Sequence, residues 1–248
     1  MEKKYILTDD VIDFNGYTLH RIKAVRDFDC VKAGDLGGFI ESEKNLDHDG
    51  DAWVTDSARV TGDAWVTDSA RVTGDAWVTG DAWVTGDAWV TGDAVVSGDA
   101  LVTGDALVTD SARVTGDARV TGDALVTDSA RVTGAAWVTD SARVTGDAVV
   151  SGDALVTGDA RVTSAAWVTG DAVVSGDADF AVISGFGRVF RTTTFFRCKD
   201  NLVRCQCGCF YGTVDEFRSK VRETHGSSKY AKEYLMIADL MELHFKED

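Results

Sequence analysis

The chain predicts an all-β fold, a three-sided parallel β-helix with a small cap at each end. Three observations carry this. A six-residue unit, A-x-V-T-G-D, repeats twenty-one times without insertion from Ala52 to Ala172. Within each unit Ala and Val alternate with x and Thr, the period-2 pattern of a strand with one buried face. The 248 residues include no proline, the residue that would delete ladder donors.

A four-residue strand cannot bury its apolar side alone, whereas stacked copies build a continuous interior of Ala and Val. Gly-Asp, or its variant Asp-Ser, makes each corner, because Gly reaches unusual dihedrals and Asp or Ser bonds its own turn backbone. Three units make a coil of 18 residues, so the repeats predict seven coils. At about 4.8 Å per coil the shaft would stand roughly 34 Å tall. The domains are then an N-terminal β-hairpin cap (1–50), the solenoid (51–178) and a C-terminal α+β cap (179–248).

In the first flank, DFNGYTLHRIKAV places Asn15-Gly16 between alternating apolar residues, a two-residue hairpin signal. Its expected role is to cover the first coil, whose unpaired edge invites aggregation. Lys32-Ala-Gly-Asp-Leu-Gly-Gly lacks the glycine spacing and terminal Lys-Ser/Thr of a phosphate loop.

In the second flank, TTTFFRCKDNLVRCQCGCFYG predicts a hairpin turning at Asp200-Asn201. That register sets Cys198 opposite Val203, Phe196 opposite Cys205 and Thr194 opposite Cys207. All four cysteines then share one face, with Arg197, Arg204 and Gln206 on the other. We expect reduced thiols packed beneath the following helices. The alternative is a zinc site of Cys198, Cys205, Cys207 and Cys209. A regular strand fits it poorly, since alternate residues stand about 7 Å apart and zinc needs each sulfur at about 2.3 Å. Thr213 and Glu216 form a capping-box pattern that opens a helix carrying Val214, Phe217 and Val221 on one face and ending at Gly226. A second helix shows Tyr230, Tyr234, Ile237 and Met241 at spacings of four, three and four.

Charge and composition limit the function classes. A net charge of −16 argues against general nucleic-acid binding. No apolar stretch approaches the length of a membrane span, and MEKKYILTDD lacks the apolar core of a signal peptide. Five cysteines at odd spacing add the expectation of reduced thiols and a cytoplasmic location. No cofactor is expected.

The repeat, with an aliphatic residue followed four positions later by a small one (Val54 and Ala58), resembles the left-handed β-helix of hexapeptide-repeat acyltransferases. Bactofilin-type filament proteins use a similar three-sided coil of the opposite hand; the resemblance favours the left hand. IKAVRDFDCVKAGDLGGFIE, from Ile22 to Glu41, resembles the N-terminal segment of YdcK-like proteins, bacterial hexapeptide solenoids labelled transferases by fold analogy. Similar arrangements occur in uncharacterised phage and prophage proteins of Gram-positive bacteria. The acyltransferase resemblance would imply a histidine base beside a loop leaving the coil. Gamma-type carbonic anhydrases, of the same architecture, would imply three metal-binding histidines. Here His20, His48, His225 and His244 all lie outside the repeats, and no loop interrupts them. We therefore expect no enzyme in the shaft.

What varies is x, which is expected to face solvent and is only Trp, Arg, Leu or Val. The variants come as linked cassettes: DSA is always followed by RVT, and GDAVV by SG, a pattern of recombining repeats. Stacking every 18 residues assigns x to three faces. The third carries Trp65, Trp83, Leu101, Arg119, Trp137, Leu155 and Val173, with Arg119 alone charged. A flat apolar surface of that height exceeds the few hundred Å² usual on a monomer, and Trp and Arg are enriched at interface hot spots. We expect a binding protein that presents this face to a protein or other macromolecule. The alternative is a self-associating scaffold, a homo-oligomer or filament. Less favoured are an acyltransferase-like enzyme, an ice-binding surface, whose Thr-x-Thr array is missing, and a DNA mimic built on corner Asp. On the two mixed faces, Trp and Arg are expected to shield each other by stacking.

Overall fold

The computed structural model describes residues 2–246; Met1, Glu247 and Asp248, which the sequence assigns to the caps, lie outside the described residues. Three strands open the chain: β1 (Tyr5–Phe14), β2 (Tyr17–Ala24) and β3 (Leu36–Ile40). Short strands β4 to β24 follow, from Trp53–Val54 to Val173–Val174. The cap then supplies β25 (Phe180–Phe186), β26 (Arg191–Arg197), β27 (Val203–Cys207), β28 (Phe210–Thr213), α1 (Val214–His225) and α2 (Lys229–His244).

The shaft is a three-sided parallel β-solenoid. Each strand pairs in register with the strand 18 residues on, as in Trp65 with Trp83, Trp83 with Leu101 and Leu101 with Arg119. The three sheets carry the three faces as the 18-residue period assigns them. Every Ala and Val of the repeat interior is fully buried in one continuous core. The corners need a left-handed residue: Gly80 has φ +72°, and a Cβ there would come within 3.0 Å of Gly98 N in the next coil. Where the cassette reads Asp-Ser, Asp takes the left-handed position instead, as at Asp68 (φ 59°) and Asp140 (φ 57°). Its carboxylate then accepts bonds from the coil below, from Thr85 and Gly86 to Asp68 and from Thr157 and Gly158 to Asp140. Those bonds, the hydroxyl first and the amide second, hold both carboxyls below their ordinary range.

The coil count is about eight, which corrects seven. The additional coil precedes Asp51. Phe39 and Ile40 pair in parallel with Arg59 and Val60, and Leu46 bridges Val66. Ile40 and Leu46, six residues apart, thus take interior Val positions. Their neighbours hide the repeat: Gly38 and Lys44 stand where Ala would, and the offset is 20 rather than 18 because two extra residues precede Trp53.

The expected hairpin forms at Asn15-Gly16, with Phe14 opposite Tyr17 and both turn residues at positive φ. Through β3 it continues the sheet of the second face, so the three cap strands and seven solenoid strands make one ten-stranded sheet. At the other end, β25 to β28 form a four-stranded antiparallel sheet between the last coil and the two helices.

Here one expected register is overturned. Arg197 pairs with Val203, Phe196 with Arg204, Phe195 with Cys205 and Thr193 with Cys207, one residue away from the predicted pairs. The turn is a three-residue loop, Lys199-Asp200-Asn201, with Asn201 left-handed (φ 62°). Cys198 N donates to Leu202 O (3.0 Å) and Asn201 N to Cys198 O (2.9 Å). A shift of one residue moves side chains to the opposite face. Cys198 and Phe196 therefore pack into the shaft end, while Cys205 and Phe195 pack under the helices.

The helices form as the sequence indicates. Thr213 Oγ1 accepts from Glu216 N (3.3 Å), Glu216 accepts from Thr213 N (2.8 Å), and Gly226 ends α1 at φ 56°. Phe217, Val221, Tyr234, Ile237 and Met241 are buried between sheet and helices. Tyr230, expected among them, is exposed; Ala231 and Ala238 take the close contacts instead.

Candidate functional site

The third face is built from one residue per coil. Because Ala and Val point inward, the residue between them points out, and the in-register ladder stacks Trp65, Trp83, Leu101, Arg119, Trp137, Leu155 and Val173 in one row. Trp65, Trp83 and Trp137 remain 36, 50 and 47% exposed. Trp65 and Trp83 meet edge to face at 5.4 Å. Arg119 lies over the Trp137 ring at 4.8 Å, so the single charge of the row is stacked onto it. Leu101, Leu155 and Val173 are half-buried between these larger neighbours.

Acidic corners border the row. Asp63, Asp81, Asp99, Asp117, Asp153 and Asp171 run down the corner that enters this face, all exposed. The corner that leaves it carries Asp at every level, from Asp51 and Asp68 to Asp140 and Asp159. The other faces hold their own cations, with Arg71, Arg143 and Arg161 on the first and Arg59, Arg113 and Arg131 on the second. Only Arg119 serves the third. It is an apolar strip between two acidic edges.

The aromatic residues of the other faces are partly used within the molecule. Trp53 is buried against Phe28 and Tyr5 of the N-terminal cap, which corrects the expectation that every x faces solvent. Phe14, at the hairpin tip, packs on Trp77 (5.1 Å) and under the Arg59 guanidinium (4.4 Å). Arg71 stacks on Trp89 (5.7 Å), as expected for a mixed face, and also pairs with Asp29.

The cysteines are all free. The expectation of four thiols on one face fails because of the register shift described above. Cys198 lies at the shaft end, where burial pushes its thiol up, and Cys205 lies on the opposite face, raised further by burial. Cys207 is half-buried and Cys209 exposed. Sulfurs on opposite faces of a sheet cannot all reach one ion at about 2.3 Å. Among the described residues no group of three or more His, Cys, Asp or Glu side chains is placed to hold a metal.

The four histidines sit in the caps: His48 is stacked on Tyr5 (4.3 Å), His20 contacts Thr8 O (3.2 Å), His225 is stacked on Tyr234 (5.7 Å) and His244 ends α2. No described helix is long and apolar enough to cross a membrane. No family model matches the chain, and no curated protein matches it.

Proposed function

We propose that this is a non-enzymatic binding protein whose rigid shaft presents the third face to a protein partner. The outward-facing row from Trp65 to Val173, with Trp65, Trp83, Arg119 and Trp137 exposed and Asp corners on both sides, is the observation that carries this reading. Its chemistry selects the partner class: a surface with apolar side chains down its centre and Lys or Arg on both sides. Such complementarity steers encounter and rejects acidic partners. It also disfavours the self-associating alternative, because two copies meeting on this face would bring like-charged corners together. The linked cassettes give such a protein a way to exchange surface residues by recombination while the interior stays constant.

The test is a titration with a synthetic peptide of alternating Leu and Lys, followed by calorimetry. Wild type should bind, and the triple variant Trp65→Ser, Trp83→Ser, Trp137→Ser should bind about tenfold more weakly or worse. Trp89→Ser, on the first face, should bind as wild type does. Equal binding by the triple variant would reduce the attraction to charge alone and overturn the reading.

A further inference from the structure

The C-terminal cap holds a cavity of about 310 Å³ between the β25–β26 loop, the β27–β28 turn and the two helices. This is the small end of the ligand-cavity range, about 300 to 1,000 Å³. Its walls are apolar, formed by Phe210, Phe217, Val221 and Tyr234, with the His225 ring stacked on Tyr234. Its rim is cationic: Arg188, Arg191 and Lys220 line it, and no carboxylate does. In a chain of net charge −16 that is a local reversal of sign.

The arginines of the rim differ from three others of the cap. Arg197 pairs with Asp179 (3.3 Å), Arg204 with Asp200 (2.5 Å), and Arg218 with Asp215, Asp239 and Glu242. Among the described residues Arg188 and Arg191 make no ion pair and no side-chain hydrogen bond. The Arg191 guanidinium lies against Gly208, where φ is +62° and any Cβ would strike Nη1. Arg191 thus borders the cavity on one side and, with Gly208, a cleft beside Trp167 and Thr194 on the other. Lys220 is engaged by Glu223 (2.9 Å), which leaves the two guanidinia as the free cations.

We propose that this cavity binds a small amphiphilic carboxylate, an aliphatic or aromatic acid. The apolar tail lies among Phe217, Val221 and Tyr234, and the carboxylate meets Arg188 and Arg191. Guanidinium suits this role because its planar fork binds carboxylate through two parallel bonds. The site is independent of the solenoid face and of any partner bound there.

Decanoate is the probe, with decanol, decyltrimethylammonium and acetate as controls, measured by calorimetry on the full chain. Decanoate should bind, and acetate, which has no tail, should not. Decanol should bind about tenfold more weakly or worse, and the cation should not bind. Arg188→Met with Arg191→Met should weaken decanoate about tenfold without changing decanol affinity. Val221→Trp, which fills the cavity, should abolish both. Equal affinity for decanoate and its cationic analogue in wild type would overturn the proposal whether or not the variants fold. So would decanoate binding unchanged by the arginine substitutions.

Discussion

The two ends of the shaft leave different backbone groups for their caps to satisfy. In the parallel ladder each outward residue donates to the following coil, as Trp53 N does to Ala70 O, while the inward Val bonds back to the preceding one. The first repeat coil thus presents its Ala carbonyls, which the cap meets with donors, while the last presents the N–H groups of its outward residues, which the cap meets with acceptors. Each edge also carries groups of the other kind, as where Glu41 accepts from Gly62 N (2.7 Å) and Lys199 N donates to Asp171 O (3.0 Å). The N-terminal cap supplies three different donors at 2.9 Å, one for each face. Lys4 Nζ reaches Ala52 O, Phe39 N reaches Ala58 O, and Asn45 Nδ2 reaches Ala64 O. At the far end the Asp177 carboxylate accepts from Arg161 N (3.2 Å) and Thr194 Oγ1 from Trp167 N (2.9 Å). A cap is thus matched to the particular donors and acceptors that its end leaves open as well as to the apolar area it covers, because a buried polar group left unpaired is costly.

Substitutions can break this contrast in graded steps. The largest effect belongs to Asn45, which is fully buried and donates to both Gly62 O and Ala64 O (2.9 Å each). Asn45→Leu strips two carbonyls at once and should cost about 2–4 kcal/mol in urea denaturation. Asn45→Asp, an acceptor in a donor's place, should be as damaging despite its shape. If it proved neutral, the need for a donor at the Gly62 and Ala64 carbonyls would be refuted.

Lys4 comes next. Burial, the main cause, pushes its ammonium down to about 8 from the ordinary 10.5. Between those values the unfolded chain binds more protons than the folded one, so stability rises with pH across that window. Lys4→Met should cost about 1–2 kcal/mol near neutrality and flatten the rise between pH 8 and 10.5. A variant that kept the full slope would place its origin elsewhere.

Effects at the acceptor end should be smaller, because its bonds are more exposed. Thr194→Val, equal in shape, should cost about 1 kcal/mol through the unpaired Trp167 N. Asp177→Asn keeps an acceptor oxygen and should stay within about 0.5 kcal/mol. Thermal melting of the pair reads both values. The reverse order would contradict the burial argument.

The same contrast explains what could be read from the sequence. The shaft is legible because its period of 18 determines every face, and the third-face row follows from arithmetic. The additional coil was visible only as Ile40 and Leu46 six residues apart, masked by Gly38, Lys44 and a corner two residues longer. Lys4 and Asn45 carried no readable signal, since their roles depend on where the first open carbonyls fall. In the C-terminal cap a single loop decided the register. Asp200-Asn201 reads as a two-residue turn, but Asp200 accepts from Leu202 N (3.1 Å) and from Arg204, and Asn201 provides the left-handed residue of a longer loop. That one residue separated Cys198 from Cys205. The cationic cavity was equally hidden, because Arg188, Arg191 and Lys220 converge from a loop, a strand and a helix.

If the outward position is free of the fold, surface and stability must separate at the third face. One variant tests this most directly: Trp65→Ser, Trp83→Ser and Trp137→Ser together, followed by thermal melting and by sedimentation with the Leu-Lys peptide. The account predicts a melting temperature within a few degrees of wild type, since the interior Ala and Val are untouched, together with loss of the complex. Joint loss of stability and binding, or a complex that survives intact, would contradict it.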